Sequence, residues 1–180
     1  MMRNRPIVFV VCALTATLAS AAMAAEPVRL DERLAVFAPF VGKTWRGEFK
    51  SSTAEKPAFD VSKWEVALRG KAIRITHSVN DGVYGGETIV MWDATKKVLV
   101  AFYFTTAGFF TESTFEVKDG KLLSRETVRG NQQGVTEVEA VTELQDGKMH
   151  VKSRYLRNGS WVDGHEITYV EAPDAKVVLD

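Results

Sequence analysis

The feature that most constrains the fold is a series of turn signals that recurs along the chain after residue 42. Asp119-Gly120, Asp146-Gly147 and Asn158-Gly159 favour the tight positive-φ turns that join adjacent antiparallel strands. The segments between turns are about eight to twelve residues long and rich in β-branched and aromatic types, which is typical of strands. The pattern predicts ten strands. They cover residues 43–50, 58–69, 71–80, 83–93, 97–105, 108–118, 121–129, 134–145, 148–157 and 160–171.

Connections this short place consecutive strands side by side in an up-and-down meander. An open sheet of ten strands would leave two unpaired edges, and closure into a barrel removes both. A β-sandwich is the alternative, but it usually needs longer crossovers. Leu30, Leu34 and Phe37 recur at helical spacing before Pro39 and Gly42. We therefore predict an all-β fold: a closed up-and-down antiparallel barrel of about ten strands with a short N-terminal helix.

The first residues resemble a targeting segment. Arg3 and Arg5 precede an apolar run over 7–19, and Ala22-Met23-Ala24 supplies the small residues that a signal peptidase reads. The sequence predicts a signal peptide over residues 1–24 and a periplasmic or secreted protein. An uncleaved anchor is the alternative, but the apolar run is shorter than the ~20 residues that span a bilayer.

Cleavage would leave one barrel domain, residues 25–180, with no membrane span. Cys12 would leave with the signal, so the mature chain could form no disulfide. The whole chain carries 23 basic and 23 acidic residues. A neutral balance argues against a nucleic-acid partner, because phosphate binding needs a basic surface.

The alternation of side chains along each strand predicts which residues face the barrel interior. An aromatic and aliphatic lining with scattered hydroxyls is typical of a small-molecule pocket. The alternative is that these side chains simply fill the barrel. The predicted cavity residues are Trp45, Trp64, His77, Phe109, Thr111, Ser113, Ser153, Tyr155 and His165.

Two predicted strands, 83–93 and 97–105, are apolar on both faces, so their side chains cannot all point inward. An exposed apolar face of this kind marks an interaction surface. We expect the N-terminal helix or a partner subunit to cover it, which makes a homodimer through 83–105 one hypothesis.

A family resemblance follows from Gly42-Lys43-Thr44-Trp45-Arg46-Gly47, which lies between the short helix and the strand series. With Tyr84-Gly85-Gly86-Glu87-Thr88 leading to Met91-Trp92-Asp93, it resembles the lipocalin-like (calycin-type) barrels, in particular secreted bacterial proteins of unknown function. The resemblance covers about 40–171 and implies architecture, with Trp45 near a closed end. One extra residue separates Gly42 from Trp45 compared with the lipocalin Gly-x-Trp motif.

The chain is also distantly similar to nitrobindin, a ten-stranded haem barrel with an iron-binding histidine late in its chain. His165 lies late in this chain, but the residues around it do not match, so that role is not transferred. We predict no cofactor and no metal.

Two histidines are candidates for chemistry. His77 lies between Ile75 and Val79 and could orient a ligand, act as a general base or bind a metal. The alternative is a core histidine bonded to a nearby hydroxyl. A metal site would need His77, His165 and a carboxylate such as Glu87 to converge.

His165 is predicted to share a face with Trp161, Asp163 and Tyr169. An aspartate beside a histidine can hold its tautomer. Neighbours on one strand are about 7 Å apart, however, which is too far for a direct bond. Gly85-Gly86 precedes a strand rather than a helix, so it indicates a bulge or a close backbone approach instead of a phosphate loop.

The chain contains no His-Glu-x-x-His or Gly-x-Ser-x-Gly catalytic motif. The leading hypothesis is a protein that binds a small, largely apolar or amphipathic molecule in the barrel. The first alternative is a cofactor-independent isomerase, lyase or hydrolase that uses a cavity histidine. The second is an interaction protein with a filled barrel.

Overall fold

The computed structural model describes residues 29–179, which form a closed barrel of ten antiparallel strands. Each strand pairs with its neighbours in sequence, and β1 also pairs with β10. The predicted fold is confirmed, whereas the predicted signal peptide lies outside the described residues. The strands are β1 (Lys43–Phe49), β2 (Phe59–Ala67), β3 (Ala72–Val79), β4 (Tyr84–Asp93), β5 (Val98–Thr105), β6 (Phe110–Lys118), β7 (Lys121–Arg129), β8 (Val135–Gln145), β9 (Lys148–Arg157) and β10 (Ser160–Glu171).

The hairpin turns explain why the sequence specifies this register. Asp119, Asp146 and Asn158 each have φ of 51°, and each is followed by a positive-φ glycine. Two consecutive residues with positive φ match the twist of the flanking strands. The predicted turn type is therefore confirmed at all three dipeptides.

The N-terminal helix is shorter than predicted and of a different type. It is a 3-10 helix, Glu32–Phe37, and the Asp31 side chain caps it by accepting a hydrogen bond from the Arg33 backbone. Short 3-10 segments are common as connectors. Leu34 and Phe37 are both 0% exposed because the helix enters one end of the barrel. It does not cover the outer face of β4 and β5, where Phe102 and Phe104 are exposed, so the first of the two predicted covers, the helix, was wrong.

One end of the barrel is closed by apolar side chains, and we call this the closed end. The Trp45 indole Nε1 donates to the Phe40 carbonyl at 3.1 Å. Phe37 meets Phe115 edge-on with ring centroids 5.5 Å apart, and Phe40 packs against Trp64 at 5.4 Å. Edge-on and offset aromatic pairs are favourable arrangements for a packed core.

The last described residues, 172–179, run along the outside of the barrel from the closed end to the opposite end. Ala172 N donates to the Thr44 carbonyl at 2.8 Å, and Val178 N donates to the Ser78 hydroxyl at 3.0 Å. Ser78 points outward yet is only 1% exposed. The segment therefore covers part of the outer wall near the β3–β4 turn.

The two glycines at the start of β4 mark close approaches, as one of the sequence alternatives predicted. A Cβ on Gly85 would collide with the His77 carbonyl, and the Leu179 side chain would lie only 2.7 Å away. A Cβ on Gly86 would overlap the Phe104 carbonyl and the Tyr103 ring. Gly86 thus leaves the space that Tyr103 needs inside the barrel.

Candidate functional site

The open half of the barrel interior contains a chain of hydrogen-bonded polar side chains from five strands, β2 to β5 and β10. His77 Nδ1 lies 2.7 Å from Asp60 Oδ1, and His77 Nε2 lies 2.7 Å from the Tyr103 hydroxyl. Tyr103 in turn donates to the Tyr84 hydroxyl at 2.8 Å, and Tyr169 donates to Asp60 Oδ2 at 3.0 Å. We call these five residues the polar network.

The polar network keeps a buried carboxylate satisfied. Asp60 is 2% exposed, and each of its oxygens has a partner. Burial raises the pKa of Tyr169 well above its ordinary value, and the charge of Asp60 adds to that rise. Burial also raises the pKa of Tyr103 and that of Tyr84. The three phenols therefore remain protonated donors throughout the ordinary pH range.

A second carboxyl group faces the interior from β7. Glu126 pairs with Ser113 across the β6–β7 ladder, and its Oε2 accepts a hydrogen bond from the Thr111 hydroxyl at 2.9 Å. Burial raises the pKa of Glu126, and hydrogen bonds from Thr111 and Ser124 partly offset this effect. Glu126 also acts electrostatically on Tyr84 and Tyr103, so it belongs to the same half of the interior.

The opposite wall presents His165. Its Nδ1 lies 2.6 Å from the Tyr155 hydroxyl and 3.1 Å from Ser153 Oγ. The Ser153 hydroxyl also accepts from His165 N at 2.9 Å, which fixes the backbone at this point. Burial lowers the pKa of His165, so the ring is neutral at pH 7. When Nδ1 accepts the hydrogen bond from the Tyr155 hydroxyl, the ring carries its own proton on Nε2.

A bulge in β10 overturns one predicted grouping. The pairing of β9 and β10 shifts register between Asp163 and Glu166. Asp163 therefore lies opposite Arg154 on the outer face, and the Arg154 guanidinium stacks over Trp161 at 4.5 Å. The prediction that Asp163 and Trp161 share a face with His165 was wrong, because a bulge reverses the alternation of side chains.

The nine predicted cavity residues separate into two at the closed end, one just before β6 and six in the open half. Trp45 and Trp64 belong to the closed end, where Trp45 is 0% exposed and Trp64 donates to Ser62 Oγ at 3.1 Å. Phe109 lies just before β6, and its carbonyl accepts from Thr105 N at 3.1 Å. The remaining six lie together in the open half. They are His77, Thr111, Ser113, Ser153, Tyr155 and His165.

The three-residue metal site considered from the sequence does not form. Glu87 lies on the outer face, where its Oε2 accepts a hydrogen bond from Arg74 Nη2 at 2.7 Å, whereas His77 points inward. Within residues 29–179, no group of three His, Cys, Asp or Glu side chains is arranged to hold a metal ion.

Five interior residues were absent from the predicted cavity residues, although the shared face of Tyr169 and His165 was predicted. They are Asp60, Tyr84, Tyr103, Glu126 and Tyr169. Asp60 could have been found, because it continues the inward series of Ser62 and Trp64 two residues at a time. Glu126 follows the same rule in β7. Tyr103 gave no clear signal, because both faces of its strand are apolar.

A groove of about 870 Å³ lies on the outer wall rather than in the interior. Its flanks are two rows of outward side chains across β6 to β9, with Arg125 and Glu139 in one row and Leu123 and Val141 in the other. Barrel walls are hyperboloid, so a waist of this kind follows from strand twist. Arg154 and Glu139 are bonded to each other across it at 2.7 Å.

No family model and no curated protein sequence matches this chain. Among solved structures, the fold is similar to that of Rv2717c from M. tuberculosis, with a TM-score of 0.61 and 10% sequence identity. The match covers 79% of this chain and 99% of that one. At this identity the likeness shows a shared barrel fold. No helix among residues 29–179 is long and apolar enough to cross a membrane.

Proposed function

We propose that this chain is a periplasmic or secreted lipocalin-like protein that binds a small amphipathic molecule in the open half of the barrel. One observation carries the proposal: the interior divides into an apolar closed end and a set of enclosed polar side chains that are only half-buried. That set comprises His77, Tyr84, Tyr103, Glu126, Tyr155 and His165. Enclosed groups keep accessible surface where a cavity reaches them.

The floor of the proposed cavity suits an apolar ligand body. Trp64, Ile75, Phe115 and Val151 face inward, pack against the closed end and remain half-buried. Covering such surface contributes roughly 25 cal/mol per Å². A mostly apolar pocket with a few placed polar groups is the usual design of a small-molecule site. The periplasmic or secreted location rests on the predicted signal peptide.

The test uses the neutral fluorescent probe N-phenyl-1-naphthylamine, titrated at micromolar concentration into the purified protein. We expect saturable binding that Ser124→Phe weakens at least tenfold, because Ser124 faces the interior and is half-buried. Thr127→Phe is the matched control, since it adds the same ring to the exposed outer face of the same strand. Absence of saturable binding, or equal effects of the two variants, would contradict the proposal.

The second candidate is a cofactor-independent enzyme, and the polar network favours it. Asp60 orients His77, whose other nitrogen contacts Tyr103, and Tyr103 contacts Tyr84. A carboxylate, an imidazole and a hydroxyl in series can move a proton to or from a substrate beside Tyr84. The reaction class would be an isomerase, lyase or hydrolase step that starts with proton transfer.

Solvent deuterium tests this candidate. Metabolite extract is incubated with the protein in D2O, and mass spectrometry follows deuterium entering a small molecule. An enzyme of this kind should label one compound, and His77→Gln should abolish the labelling. His150→Gln is the control, because His150 lies on the outer face beside Thr168. No labelling with the wild-type protein would remove the proton-abstraction mechanism.

A further inference from the structure

Among the described residues, the open half of the interior holds carboxyl groups but no lysine or arginine below its rim. Its inward positions carry two carboxyl groups, Asp60 and Glu126, and the inward neighbours of Glu126 are neutral. Among the described strands, no lysine or arginine takes an inward position in this half below the rim, where Arg157 is exposed. His165 adds no positive charge at pH 7, since burial lowers its pKa and keeps the ring neutral.

The aromatic rings add to the same preference. Tyr84 and Tyr103 flank His77, with ring centroids 5.9 Å and 5.4 Å from the imidazole, and Tyr155 lies on the opposite wall. The faces of aromatic rings carry negative potential and attract cations. A carboxyl group that is surrounded by aromatic rings is therefore suited to bind a protonated amine.

Glu126 is the carboxyl group free to serve a ligand. Both oxygens of Asp60 already have partners within the polar network, and Asp60 is buried. Glu126 accepts from Thr111 and remains half-buried. It therefore keeps acceptor capacity on the accessible side of the interior.

We propose that the ligand is an amphipathic amine whose protonated nitrogen binds Glu126, and that the interior rejects carboxylates of the same shape. This inference rests on the proposed binding function and names its ligand class. An anionic head group here would bury a charge with no lysine or arginine beside it, which is strongly unfavourable. An ammonium would pair with Glu126 and contact the tyrosine rings.

The pairing involves a proton. In the empty protein, burial favours the neutral form of the Glu126 carboxyl. An arriving ammonium favours the carboxylate, so a proton held by Glu126 leaves to solvent as the ion pair forms. The groups that face Glu126 are Thr111 and Ser113 on β6 and Val138 on β8, with Tyr84 and Tyr103 beyond, and the two phenols stay protonated.

The experiment compares three matched probes by isothermal titration calorimetry at pH 7: 4-phenylbutylamine, 4-phenylbutanol and 4-phenylbutyrate. We expect the amine to bind at least tenfold more tightly than the alcohol, and the carboxylate more weakly than either. Repeating the amine titration in buffers of different ionisation enthalpy should show proton release.

Two variants locate the effect. Glu126→Gln should reduce amine affinity to that of the alcohol and abolish proton release. Glu116→Gln is the matched control, because Glu116 lies on the outer face of β6 and is exposed. It should change none of the three affinities.

The outcomes separate the two levels of the proposal. If the alcohol binds and the amine gains nothing over it, the amine inference is wrong while the binding function stands. If the carboxylate binds most tightly, the inference is also overturned. If none of the three probes binds and N-phenyl-1-naphthylamine also fails, the binding function itself is contradicted. If Glu126→Gln fails to fold, the affinities of the three probes for the wild-type protein still test the amine inference.

Discussion

The two ends of the barrel interior are built from the same alternating strands but with opposite chemistry. At the closed end, Leu34, Phe37 and Trp45 are each 0% exposed and pack as an apolar plug. At the open end, His77 and Glu126 are half-buried and hydrogen-bonded. The difference separates two tasks: the plug provides stability, and the open end provides recognition in the function that we propose.

Physical costs explain why the two tasks are kept apart. Buried polar groups must be hydrogen-bonded, and even then they contribute less than apolar packing of the same volume. A barrel optimised only for stability would extend the plug through its whole length. Local departures from stability of this kind are expected at functional sites.

The largest effect should come from the closed end. Trp45→Ala removes a fully buried ring and its hydrogen bond to the Phe40 carbonyl, and we expect the free energy of unfolding to fall by about 3–5 kcal/mol. Urea denaturation measures the change. Val83→Ala is the control, because Val83 is 81% exposed and its truncation should cost under about 0.5 kcal/mol. If Trp45→Ala lowered the free energy of unfolding by less than about 1 kcal/mol, the closed end would not be the main source of stability.

The polar network should show the next largest effect. Asp60→Ala leaves His77 and Tyr169 without their partner, and we expect a loss of about 2–3 kcal/mol in the free energy of unfolding. A double-mutant cycle with Tyr169→Phe should give a coupling energy of about 1 kcal/mol or more. Additive losses would mean that the Tyr169 contact with Asp60 contributes little.

The sequence predicts the turns, the strand bounds and the side-chain faces of this barrel well. Each of these features depends on residues that are close together in the sequence. The Asp119-Gly120, Asp146-Gly147 and Asn158-Gly159 turns fix where strands end. The strand bounds agree closely: residues 58–69 were expected and Phe59–Ala67 is observed for β2. Period-two alternation then assigns faces, and it placed His77 and Tyr155 in the interior.

The site was harder to predict because it depends on contacts distant in sequence. Asp60 and Tyr169 are 109 residues apart and meet only through barrel closure. The β10 bulge could not be read from alternation, since one extra residue reverses the faces of Asp163 and His165. Gly164 marks the place in retrospect, because a Cβ there would collide with the Ser153 hydroxyl.

Glu126 should make stability depend on pH. Its pKa in the folded protein is raised above the ordinary value of 4.5 by burial. Above pH 4.5 the unfolded chain ionises more readily than the folded one, so this residue lowers stability as pH rises. Glu126→Gln, which does not titrate, should be more stable than wild type at pH 7 by about 1 kcal/mol.

Urea unfolding of wild type and Glu126→Gln at pH 4, 5.5 and 7 checks the direction of this pH dependence. The advantage of Glu126→Gln should shrink towards pH 4, where both states of the wild-type residue are protonated. Glu116→Gln should show no such trend, because Glu116 is exposed. An advantage that grows as pH falls would contradict a raised pKa and sharpen the case for a site already paired with a cation.

The smallest effect on stability should come from the outer face of β4 to β6, which belongs to neither end. Phe102 and Phe104 are 42% and 53% exposed, and Phe104 stacks on Phe110 with ring centroids 6.0 Å apart. We propose that a second copy of the chain covers this face. Phe104→Ser should then shift sedimentation from dimer towards monomer, while the free energy of unfolding measured at low protein concentration changes by under about 0.5 kcal/mol. Leu68→Ser, at an exposed turn, should leave the dimer intact. A wild-type protein that stays monomeric at high concentration would contradict the proposal that a second copy covers this face.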